Sequence, residues 1–72
     1  MEKKLYFTIE KETTAEGDLN GFKTVTVYEI INNEPKVFTS IDCDLEDNSL
    51  TEIQNYLNDN GHGDKKFKLI LL

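Results

Sequence analysis

The chain has no arginine and no tryptophan, one cysteine, one proline, and no apolar run near the roughly 18 to 20 residues that span a bilayer. Without arginine, the planar forked donor most used against phosphate is missing. A net charge of −6 also repels phosphate backbones and anionic lipid, which argues against direct nucleic-acid binding and against a membrane role. A lone Cys43 cannot close an internal disulfide, so packing alone must hold the domain, which suits a reducing compartment. Met1-Glu2-Lys3-Lys4 leads into an alternating pattern rather than an apolar signal core, and a cytoplasmic protein is expected.

What is present is one small domain, residues 1–72, with 38% apolar and 31% charged residues. A domain this short buries only roughly 60% of the surface its unfolded chain exposes, so its stability margin is thin. The charge is unevenly placed. Between Val37 and Gly63 lie six carboxylates (Asp42, Asp44, Glu46, Asp47, Glu52, Asp59) and no lysine, while the rest of the chain balances eight acids against eight lysines.

Lys3 to Glu10 alternates, with Leu5, Phe7 and Ile9 to one side and Tyr6, Thr8 and Glu10 to the other, the period of a half-buried strand. The polar stretch Glu12 to Gly21 reads as a connection, and Phe22 to Ile31, rich in β-branched and aromatic residues, as a second strand. Asn32-Asn33, ahead of Glu34-Pro35, is turn chemistry that returns Lys36 to Cys43 as a hairpin partner. The two-residue Asn32-Asn33 turn fixes the register and sets Lys23 opposite Asp42 and Glu29 opposite Lys36, both pairs of opposite charge. It also sorts the side chains: Phe22, Thr24, Thr26, Tyr28 and Ile30 beside Val37, Thr39, Ile41 and Cys43 on one face, and Val25, Val27, Ile31 and Phe38 on the other.

Ser49-Leu50-Thr51-Glu52 matches a capping box and predicts a helix from about Leu50 to Asn60, with Leu50, Ile53 and Leu57 on one face and Asn60-Gly61 as its exit. Phe67 to Leu72, apolar on both sides, is a last strand. The expected fold is α+β, β-β-β-α-β, a four-stranded mixed sheet of order 4-1-2-3 with one helix on one face and the last strand parallel to the first.

Motifs that would carry chemistry are weak. Asp42 and Asp44, two apart on an extended chain, point the same way about 6.7 Å apart. As a calcium loop the stretch fails, because the sixth position holds Asp47 where glycine is needed and the twelfth holds Ile53 where a bidentate glutamate is needed. An apolar strand ending in Asp42-x-Asp44 resembles the nucleophile motif of aspartate-dependent phosphotransferases. The likeness covers three residues, and a chain this short cannot build that parallel sheet. Glu46 and Asp47 have a plainer role ahead of a helix, whose positive end favours negative charge.

Gly61-His62-Gly63 with Lys65 and Lys66 looks like a phosphate loop of the wrong polarity, since it follows a helix and faces its carbonyl end. Cys43 and His62 would make a nucleophile and base only with a third group to orient the base, and the sequence offers none. No cofactor, metal or catalytic set is therefore expected.

What remains is surface. A single helix covers one side of the sheet, so either the Val25, Val27, Ile31 and Phe38 set or the Phe22 and Tyr28 set stays bare. The expected function is a non-enzymatic module that docks a basic protein partner through Asp42, Asp44, Glu46, Asp47, Glu52 and Asp59 together with Val25, Val27 and Phe38. Small inhibitors and immunity proteins share this composition, though no motif ties the chain to them. Nucleic-acid mimicry ranks below ordinary binding, because duplex DNA carries about one charge per 1.7 Å, far denser than this segment. The alternative is a structural homodimer through the C-terminal strand or the bare sheet face.

Overall fold

The elements follow as β1 (Lys3–Thr13), β2 (Leu19–Ile31), β3 (Glu34–Asp44), α1 (Ser49–Asp59) and β4 (Phe67–Leu71) in a computed structural model that describes residues 3–63 and 67–72. The sheet order is β3-β2-β1-β4, the 4-1-2-3 arrangement expected, with β4 parallel to β1 and the other two pairings antiparallel. Asp64, Lys65 and Lys66 of the loop before β4 lie outside the described residues.

The β2–β3 turn is built as its residues dictate. Asn32 and Asn33 both take positive φ, 53° and 65°, the pair of left-handed residues that a two-residue hairpin matched to strand twist requires. Next to this turn the expected register holds, with Glu29 opposite Lys36 and Tyr28 opposite Val37. The Glu29 carboxylate nonetheless bonds across the other side of its strand, 2.7 Å from the Lys3 ammonium.

Beyond that point the register corrects the sequence reading. Tyr28 pairs with Val37 but Val27 pairs with Thr39, so Phe38 is an extra residue in β3, a bulge. Because side chains alternate, one extra residue exchanges the faces of all that follows. Lys23 lies opposite Cys43, not Asp42, and Ile41 and Cys43 join Val25 and Lys23 rather than the threonines. Ser40, Asp42 and Asp44 take the places opposite Thr26, Thr24 and Phe22.

The helix is capped one residue earlier than the Ser49 box predicts. Asn48 is the N-cap, its side-chain oxygen accepting from the Thr51 amide at 3.1 Å, and Asn caps as well as Ser. At the exit, Gly61 takes φ +80° and the His62 amide donates to the Leu57 carbonyl at 2.8 Å, the bond that closes a helix over a left-handed residue. Ile53 and Leu57 are buried, whereas Leu50, expected on that face, is 49% exposed. Leu5, Phe7, Val25, Val27, Cys43, Ile53 and Leu57 make the core, with Phe38, Ile41, Tyr56, Phe67 and Leu69 packed around it.

α1 is shorter than the strands it covers. Eleven helical residues rise about 16 Å, while a thirteen-residue strand such as β2 spans roughly 43 Å, so the distal part of the β1–β2 pair runs past the helix. That is why Ile9, in line with buried Leu5 and Phe7, stays 42% exposed.

Candidate functional site

The helix covers the Val25 and Val27 side, which makes the opposite face the bare one. Val25 and Val27 are 0% exposed, sealed in the core, so these two candidate contact residues cannot meet a partner. Phe38 is half-buried and packs on the core. Its ring stands 5.7 Å from that of His62, which in turn lies 6.3 Å from Phe67. The bare face is the Phe22, Thr24, Thr26, Tyr28 and Ile30 set.

Register places this face in rows that cross the sheet. Val37, Tyr28, Tyr6 and Ile70 stand side by side on four consecutive strands and form an apolar and aromatic row. The next row is hydroxyl-bearing, Ser40, Thr26 and Thr8, and the one after it carries Asp42, Thr24 and Glu10. On the other side of the apolar row, Lys4 and Lys68 are paired. Rows on one face are about 6.8 Å apart, so the carboxylates lie roughly 13 Å from the apolar row.

The carboxylate row is organised around one hydroxyl. Thr24 Oγ1 lies 3.1 Å from an Asp42 oxygen and 3.2 Å from a Glu12 oxygen, and its single proton can satisfy only one of them at a time. Glu10 and Glu12 are not among the contact residues expected from the sequence. Their signal was the Tyr6-Thr8-Glu10-Glu12 alternation, which continues in step once β1 is seen to reach Thr13.

The six predicted carboxylates do not converge on one spot. Asp42 and Asp44 are exposed on the bare face and Glu46 is exposed in the β3–α1 turn. Asp47 is turned inward to accept from the Asp44 amide at 3.1 Å. Glu52 occupies the first turn of α1, where it suits the helix dipole, and Asp59 is at the far end. Among the described residues no three His, Cys, Asp or Glu side chains are grouped to hold a metal ion.

One buried charge was not foreseen. Lys23 is 7% exposed, and its ammonium donates to the Leu45 carbonyl at 3.3 Å and to the Asp47 carbonyl, pinning the β3–α1 turn against β2. Its neighbour Cys43 is a free, buried thiol. Burial pushes that thiol above its ordinary value, opposed by the Lys23 charge and reinforced by Glu52, Asp47 and Asp44. An activated thiol needs the opposite shift. No hydrogen bond joins Cys43 to His62 among the described residues, and the buried His62 Nδ1 has no partner there.

No helix among the described residues is long and apolar enough to cross a membrane. Comparison with protein-family models, with curated proteins and with solved structures finds no match to this chain.

Proposed function

We propose that the protein is a non-enzymatic, cytoplasmic binding module that docks a basic protein partner on its bare sheet face. The observation that carries this reading is the ordered face itself: Lys4 and Lys68, then Val37, Tyr28, Tyr6 and Ile70, then hydroxyls, then Asp42, Glu10 and Glu12 around Thr24. A partner with an apolar patch and cations about 13 Å away fits it in one orientation. The net charge of −6 favours a basic partner.

The test is capture from the source cell with the wild-type chain and with Val37→Glu, a change at an exposed edge position that leaves the core intact. A basic protein retained by the wild type, lost with Val37→Glu, and weakened in 0.5 M salt, where the Debye length falls to roughly 4 Å, supports the reading. Equal retention by both chains contradicts it.

A second reading, a structural homodimer through the C-terminal strand, is favoured by Leu71 and Leu72, both exposed at the β4 edge. Light scattering at high concentration decides it: a monomer removes it.

A further inference from the structure

β4 covers only part of β1. Its ladder ends at Phe7 opposite Leu71, closed by the Leu72 amide donating to the Phe7 carbonyl at 2.9 Å, while β1 runs on to Thr13. A strand residue sends its N–H and C=O to the same side and alternates sides with its neighbours. With Phe7 turned toward β4, Ile9, Lys11 and Thr13 present theirs outward, where the described residues supply no strand to meet them.

The sheet's two other free edges are guarded. β3 carries Pro35 and the Phe38 bulge, and β4 is only five residues long, all devices that blunt strand addition. The β1 edge has no proline and no bulge. The irregularity at its distal end belongs to β2, where three residues, Asn20 to Phe22, stand against Glu12 alone, so β1 keeps its alternation.

We propose that the outer edge of β1 from Ile9 to Thr13 accepts one extended strand of a basic partner, added alongside β1 beyond the end of β4. The inference rests on the binding-module reading and specifies how such a partner is gripped. On the bare-face side the incoming strand meets Glu10 and Glu12, which call for alternate lysines or arginines. On the helix side it meets Ile9, Lys11 and the exposed Leu71; Ile9 and Leu71 call for apolar residues between those cations, and Lys11 excludes a further cation on that side.

A second copy of this chain does not fit the same edge. Antiparallel pairing of Ile9–Thr13 about Lys11 sets Lys11 against Lys11 and Glu10 against Glu12, and in-register parallel pairing stacks like charges along the whole segment; both are destabilising. The charges thus select a different protein.

The probe is a synthetic eight-residue peptide of alternating lysine and valine, titrated into the full chain while amide hydrogen exchange is followed by NMR. Exchange at Ile9, Lys11 and Thr13 should slow about tenfold at a peptide concentration near ten times its Kd. The protection should disappear with Lys11→Pro, which removes the central outward donor, and with Glu10→Lys/Glu12→Lys, which keeps every backbone donor. A peptide with glutamate in place of lysine should not bind. Protection absent at these three amides overturns the inference, whether the peptide binds elsewhere or nowhere. If the Val37-dependent capture persists in that case, the edge inference fails alone and the binding-module reading stands.

Discussion

Lys23 of β2 stands opposite Cys43 of β3, one residue from the Asp42 that an unbroken hairpin would give it. The single residue between is Phe38, displaced from the ladder, and its displacement sends Cys43 into the core and Asp42 and Asp44 onto the bare face. Lys23 is on the core side by the alternation of β2 itself, in line with Val25 and Val27, and its ammonium reaches the Leu45 and Asp47 carbonyls. One bulge therefore builds the acidic row and brings Cys43 beside the buried pin.

Removing that pin should loosen the β3–α1 turn. Lys23→Met keeps the length of the side chain and leaves two carbonyls without their donor, at a cost of about 1 to 3 kcal/mol in urea unfolding. Unchanged stability would mean that water replaces the ammonium without loss.

The phase of the helix is tested by a pair of truncations. Leu57→Ala should cost about 2 to 5 kcal/mol, enough to unfold a domain of this size, whereas Leu50→Ala should stay within about 0.5 kcal/mol. The cap is tested in the same way: Asn48→Ala should cost about 1 kcal/mol and Ser49→Ala distinctly less. The reverse order would restore the Ser49 capping box.

Cys43 should be slow toward thiol reagents in the native state and fast once the chain is unfolded. Its folded pKa lies above the ordinary 9.0, so the native state holds the thiol proton more tightly than the unfolded chain. The stability that follows is complete below pH 9 and falls as pH climbs through 9 toward the higher folded value. Unfolding of wild type and Cys43→Ala at pH 7 and pH 10 checks the sign: the wild type should lose more stability over that interval than the variant.

Strand order, the parallel last strand and the hairpin turn were legible because alternation and Asn32-Asn33 are local signals. The bulge was not, since Val37 and Phe38 are adjacent apolar residues and only the partner strand decides which one leaves the ladder. Asn48 and Ser49 are equally good caps, and the chain alone cannot rank them. Lys11-Glu12-Thr13 reads as loop by composition but remains paired with β2. The buried Lys23 depends on carbonyls 22 and 24 residues further along the chain, beyond any local pattern. Of the expected contact residues, Asp42 and Asp44 reached the bare face, whereas Val25 and Val27 form its buried underside.

The central claim, that the uncovered side of the sheet is the contact surface, is tested most directly by an amide-shift footprint of the captured partner on the isotope-labelled chain. Recognition there should perturb Tyr6, Tyr28, Val37 and Ile70 together with Thr24 and Asp42, and leave Gln54, Asn55 and Asn58 on the outer helix unmoved. A footprint centred on those helix residues, with the tyrosine row silent, would contradict it.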